Sequence, residues 1–290
     1  MTTDTQPTPS KSAAPTIALW LVLLAAAGTF AMTMGTRQTM GLFLSALNTS
    51  TALGIGSISL AFAFGQLWWG LTQPFAGAVA DRIGTGRVIL LGVALVALGT
   101  FITPYMTTTA GLIFAIGVLA AGGAGMAGPS VLMAATARLV PAHKRGLASG
   151  IVNAGGSFGQ FVMAPIAISL TAAVGWANAM QWLGVLVLLA LPAVWVLKGN
   201  SNALAAQAAA ASGQKALTAR EAIAQALATP SYRYLAAGFL VCGFHVAFLA
   251  THLPGVIAAC GLAPEVGGWA LAVIGLFNIV GSLAMGWAVG

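Results

Sequence analysis

An all-α membrane protein is predicted by two features of this 290-residue chain. Only 5% of its residues are charged against 59% hydrophobic, with a mean hydropathy of +0.96, where water-soluble domains carry about 25% charge. Its apolar residues also fall in runs long enough, at ~1.5 Å per helical residue, to cross a hydrocarbon layer of ~30 Å. A water-soluble fold is thereby excluded. The net charge of +7 comes from short scattered clusters rather than one basic stripe, which argues against nucleic acid as a partner and makes the charges topology signals.

Taken in order, apolar runs bounded by charge or turn residues predict spans at Thr16–Leu44, Leu53–Ala80, Val88–Tyr105, Ala110–Ala137, Leu147–Val174, Ala177–Leu197, Leu235–Ala259 and Val266–Gly290. Residues 1–15, polar and rich in Thr and Pro, read as a disordered cytoplasmic tail. The connectors alternate in character. Asp81–Arg87, Arg138–Arg145 and Lys198–Arg233 carry nearly all the charge, while Ser45–Ala52, Thr107–Thr109, Gly175–Trp176 and Cys260–Glu265 contain no Lys or Arg. Ten of the eleven basic residues thus share one side, which the positive-inside rule makes the cytoplasm. The N-terminus is expected to face it.

Residues 199–232 form a central cytoplasmic segment between six spans (16–198) and two (233–290). Its Thr218 and Glu221 have capping-box spacing ahead of Ala222–Ala228. Two readings stay open: a helix on the membrane surface, or a linker with residual helicity. Cys242 and Cys260 lie 18 residues apart on one apolar run, about 27 Å along a helix, so they cannot form a disulfide with each other.

Ionisable residues inside the spans are the candidates for function. Arg37 is the one basic residue off the cytoplasmic side. A buried Arg costs about 2.5–3.5 kcal/mol on insertion scales and so faces a cavity or a partner, unless it snorkels to the interface. Its fork suits a carboxylate. His245 and His252, seven residues apart, share a helix face and suit a proton relay or a substrate donor; neutral imidazoles bonded to nearby carbonyls are the alternative. Asn153, Gln160 and Asn278 are candidate substrate contacts, and with Gln66 and Gln73 equally candidates for interhelical hydrogen bonds. No acidic residue sits mid-span. No nucleophile–base pair, metal triad or phosphate loop is present, so neither catalysis nor a cofactor is expected.

The connector Gly77-Ala-Val-Ala-Asp81-Arg82-Ile-Gly84-Thr-Gly-Arg87 resembles the signature loop of the major facilitator superfamily, G-x-x-x-D-R-x-G-x-x-R/K. It falls where that family has it, between the second and third spans. Arg138–Arg145 and the following Gly146–Gly150 resemble the family's entry to its fifth helix, and Gly122–Pro129 is a small-residue face suited to close packing. Gly35–Phe43 and Ala154–Gln160 are similar to the monocarboxylate and oxalate/formate transporter branch. The resemblance implies a bundle of twelve spans in two halves, of which eight are present, so the chain reads as a fragment about four helices short.

It also implies a secondary transporter of a small organic anion, monomeric, proton-coupled, in a bacterial inner membrane. A drug or metabolite exporter, and a non-transporting sensor or inert fragment, are the alternatives. Gly77, Asp81, Arg82, Gly84, Arg87, Arg138 and Arg145 would form its gating loops, with Gly77 letting the helix end pack against a neighbour. Aligning Gly77 with Gly286 brings His245 within one residue of the position matching Arg37, as for a site between two halves. The sequence departs from the branch at Asn278 and Ser282, where an Asp and an Arg are usual, which puts the usual proton-coupling pair in doubt.

Overall fold

The structure, a computed structural model, describes residues 16–137, 140, 144–197 and 219–289, and every regular element among them is a helix. The tail, Arg138, Lys215 and Thr218 with its capping box lie outside the described residues.

The first span runs as helix Thr16–Thr39, a 3-10 turn Met40–Phe43 and helix Leu44–Thr51. The expected connector Ser45–Ala52 is therefore helical as far as Thr51. Its polar side chains do not end the helix because they satisfy themselves. The Thr49 hydroxyl donates to the Ser45 carbonyl, and those of Ser50 and Thr51 to the Leu47 carbonyl. The chain turns at Ala52, with a left-handed φ of 53°.

The second span (Ile55–Ile83) and third (Thr85–Ile102, ending in the 3-10 turn Thr103–Tyr105) are separated by Gly84 alone. Its φ of 96° is open to Gly at little cost and to few other residues, which is the turn expected of the signature loop. The fourth span is broken. Thr109–Leu112 passes into a π-helical stretch Ile113–Ala121, then Gly122–Met126 and Pro129–Ala137. The fifth, Arg145–Val174, continues through Pro165, and the sixth runs as Trp176–Val187, Leu188–Ala190 and Leu191–Leu197. A short helix, Ala219–Ala228, precedes the seventh span (Pro230–Ala259) and the eighth (Pro264–Val289).

By length and composition seven of these spans can cross a membrane. The second is the exception. Its 29 residues suffice in length, but Gln66, Trp68, Trp69 and Gln73 dilute its apolarity.

Glycine seams hold the bundle. Hydrophobicity does not draw helices together in lipid, so close backbone approach carries the packing. A Cβ on Gly35 would stand 2.6 Å from the Gly159 carbonyl carbon, and one on Gly155 2.4 Å from the Ala27 carbonyl oxygen. These contacts weld the first span to the fifth. Gly92, Gly99 and Gly123 do the same between the third and fourth spans, as the small-residue face predicted. The fifth span meets the eighth along its length through Gly150 against Gly286, Gly275 against Ser157 and Phe161, and Gly268 against Ile168. Gly77 differs from the expectation: among the described residues nothing lies within 4 Å of a Cβ there.

Two buried apolar clusters divide the six-span unit along its length. One gathers Val88, Ile89, Val93, Val131 and Leu132 towards the basic end; the other gathers Phe43, Leu47, Ile58, Met180 and Leu183 towards the opposite end. At the basic end the buried Thr85 hydroxyl donates to the Leu197 carbonyl at 3.0 Å, tying the third span to the sixth. Large apolar side chains such as Leu24, Phe75 and Trp195 point outward, as lipid contact requires.

Candidate functional site

Arg37 lies between the two clusters. Gly35 and Arg37 are two residues apart, about 200° around a helix, so anchoring Gly35 on the fifth span turns Arg37 towards the second. There Gln66 and Trp69, three residues apart, share a face. The guanidinium Nη2 donates to Gln66 Oε1, Nη1 lies 3.8 Å from Met34 Sδ, and the cation sits 4.7 Å from the centroid of the Trp69 ring. The charge is thus held by an amide dipole and a π face rather than by a counter-ion. None of the acidic residues lines the site among the described residues.

Two cavities meet at Arg37. The larger, of about 740 Å³, is bounded by Met34, Arg37 and Gln38 of the first span, Ser59–Gly70 residues of the second and Phe239–His252 residues of the seventh. The smaller, of about 30 Å³, is lined by Arg37, Gln38, Gln66 and Thr100 among others. It has room for a water molecule, and the buried Thr100 hydroxyl beside it has no protein partner among the described residues. A guanidinium carries five N–H donors, so Arg37 keeps donors to offer beyond those on Gln66 and Met34. The arrangement can receive one anionic group by a charge-assisted, two-pronged contact.

The remaining predicted residues divide. His252 is half-buried and lines the larger cavity, its ring 5.4 Å from that of Phe248. His245 is exposed, its Nδ1 2.8 Å from the Val241 carbonyl oxygen, and it does not line either cavity. Around His252 the seventh span touches the first, with Ala250 and Thr251 against Gly41; at His245 the neighbours Phe244 and Val246 line the larger cavity while the imidazole bonds back to its own helix. Gln160 is buried on the fifth span, while Asn153 and Asn278 are exposed; all three lie outside both linings. Gln66 and Trp69 are the contacts of Arg37 that sequence reasoning did not assign to it. Their three-residue spacing and polarity within an apolar run were the available signal.

At the basic end, Asp81, Arg82 and Arg87 are exposed around the Gly84 turn, and Arg145 Nε donates to the Val140 carbonyl at 3.4 Å. Signature loop, glycine-seamed six-span unit and a polar group at mid-bundle agree with one family. Residues 14–290 match the model of the Major Facilitator Superfamily. The chain belongs to that superfamily. It is a multi-pass membrane protein of a transporter family.

Monocarboxylate transporter 14 of Mus musculus is 28% identical over 176 residues, covering 58% of this chain and 33% of that protein. Its Homo sapiens counterpart is 27% identical over 168 residues, 56% of this chain and 31% of that protein. The oxalate:formate antiporter of Oxalobacter formigenes is 26% identical over 169 residues, 58% of this chain and 40% of that protein. These names match the monocarboxylate and oxalate/formate branch that the first and fifth spans resemble. The matched stretch spans well under half the length of these curated relatives.

Proposed function

We propose that this superfamily member is a secondary transporter of a small organic anion, working by alternating access, with Arg37 as the residue that binds the anionic group. The observation that carries the reading is Arg37 itself: a cation at mid-bundle, bordering a large cavity, steadied by Gln66 and Trp69 and, among the described residues, facing no carboxylate. Ionisable groups at membrane depth mark substrate and ion pathways. His252 on the facing wall is the candidate for a second polar contact or a proton relay. Asp81, Arg82, Arg87, Arg138 and Arg145 at the basic end are proposed to gate access there. That end faces the cytoplasm of a bacterial inner membrane in this reading.

The test is anion binding to purified, correctly inserted protein. A hydrogen bond to a charged group is worth about 1.5–3 kcal/mol, so Arg37→Gln should weaken binding roughly ten- to two-hundredfold at ~1.4 kcal/mol per decade. Arg37→Lys keeps the charge without the planar fork and should lose only part of this. Binding by Arg37→Gln within about twofold of wild type, on the scale of ~1.4 kcal/mol per decade, would make Arg37 a structural residue and refute the reading.

A further inference from the structure

We infer that Met34 is an oxidation site whose sulfoxide oxygen captures the Arg37 guanidinium. The capture stands on the geometry of the first and second spans, and its effect on anion binding rests on the anion reading of Arg37.

Position decides which methionine a peroxide in water can reach. Met34 and Arg37 are three residues apart on the first span, so their side chains share a helix face. Both border the cavity of about 740 Å³, where Met34 is half-buried. Met40, Met163 and Met180 are instead buried in the apolar cluster away from the basic end. The Met34 sulfur lies 3.8 Å from Nη1 of Arg37, while Nη2 donates to Gln66 and Trp69 covers one face of the cation. A thioether is a weak acceptor, so in the reduced protein Nη1 keeps its donors for a ligand.

Oxidation changes that balance. The sulfur lone pair attacks one oxygen of hydrogen peroxide, and the S–O bond forms as the O–O bond breaks. Sulfur gives up two electrons and the peroxide is reduced. The departing hydroxide takes the proton of the transferred oxygen and leaves as water. A cation this near the sulfur favours the charge that develops on the departing oxygen. The product is a polar, chiral sulfoxide, whose oxygen is a far stronger acceptor than the sulfur was. With sulfur and Nη1 only 3.8 Å apart, the epimer that points its oxygen at the guanidinium brings it within hydrogen-bond reach. Gln66 on Nη2, the sulfoxide on Nη1 and the Trp69 ring then hold the cation together. An incoming anion must displace the sulfoxide oxygen before it can make a two-pronged contact.

Purified, correctly inserted protein is treated with hydrogen peroxide, and peptide mass spectrometry follows each methionine. Met34 should gain one oxygen about tenfold or more faster than Met40, Met163 and Met180, a barrier difference of ~1.4 kcal/mol. Labelling of Arg37 by phenylglyoxal should then slow about tenfold, the scale of one hydrogen bond to a charged group. Methionine sulfoxide reductases for both epimers should restore the original rate. Acetate, used as the anion probe, should bind about tenfold more weakly to the oxidised protein. Met34→Leu, whatever its own affinity, should give the same labelling rate and acetate affinity before and after peroxide. Met34→Gln places an amide oxygen beside Nη1 and should slow labelling without peroxide. Oxidation of Met34 no faster than that of the buried methionines overturns the inference. So does an unchanged labelling rate once Met34 is oxidised, or a peroxide effect that persists in Met34→Leu. Slower labelling with undiminished acetate binding would uphold the capture and remove the anion reading instead.

Discussion

Gly28 and Gly35 lie on the same span, seven residues apart, and the same substitution should affect them in opposite senses. A Cβ at Gly28 meets nothing within 4 Å, whereas one at Gly35 would stand 2.6 Å from both the carbonyl carbon and oxygen of Gly159. Those are backbone atoms of a packed helix and cannot swing aside as a side-chain tip would. The first and fifth spans must then separate, loosening the Gly155–Ala27 and Gly159–Ala31 contacts of the same seam. Inserting a methyl into a close-packed interface costs about 1–3 kcal/mol. Gly28→Ala should be neutral or stabilise by up to roughly 1 kcal/mol, the helix-propensity gain of Ala over Gly. Thermal unfolding in a mild detergent, followed by circular dichroism, gives the order Gly28→Ala, wild type, Gly35→Ala. The spacing of these spans is the scaffold for Arg37, so the experiment also tests the site. Equal stability of the two variants would mean that the spans do not approach at Gly35, and the argument for the direction of Arg37 would fail.

Three further outcomes are expected. Thr85→Val removes the bond to the Leu197 carbonyl while leaving that carbonyl buried, and should cost about 1–3 kcal/mol, read as a lower unfolding midpoint; an unchanged midpoint would mean the two spans are not tied there. Reporter fusions after Arg82 and Gln214 should give cytoplasmic signals and fusions near Gly54 and Gly261 external ones, following the charge distribution; an external signal after Gln214 would overturn the orientation. Asp81→Asn should leave insertion intact and slow transport severely if Asp81 favours one access state over the other, since a residue shifts an equilibrium only by its differential contribution. Near-wild-type uptake by that variant would make the loop structural.

Most of the fold could be read from the residues because membrane helices announce themselves by length and apolarity, and the ends by charge. Where the reading erred, local hydrogen bonding had replaced the cue. The polar stretch after Leu44 looked like a connector, yet its hydroxyls turn back onto carbonyls one turn earlier, so polarity there does not imply solvent. The π-helical stretch Ile113–Ala121 left no trace, as its residues are uniformly apolar and only the hydrogen-bond register distinguishes it. Gly77 shows the opposite problem: a motif glycine invites a packing explanation, but among the described residues nothing lies within 4 Å of a Cβ there.

The site was legible only as far as single residues. Arg37 stood out because a lone cation in a span is costly, and that cost is independent of its neighbours. Gln66 and Trp69 could not be assigned to it, since which face of the second span meets the first depends on glycine contacts spread over three helices. The two histidines make the point from the other side. Helical spacing places them on one face, but a cavity is made by two helices. His252, beside the contact of Ala250 and Thr251 with Gly41, borders the pocket, whereas His245 does not, although Phe244 and Val246 on either side of it do. Period locates a residue on its own helix; the contact that decides its role belongs to the partner helix. In this bundle that contact is set by small residues, so the glycines that carry no chemistry determine which chemical groups meet.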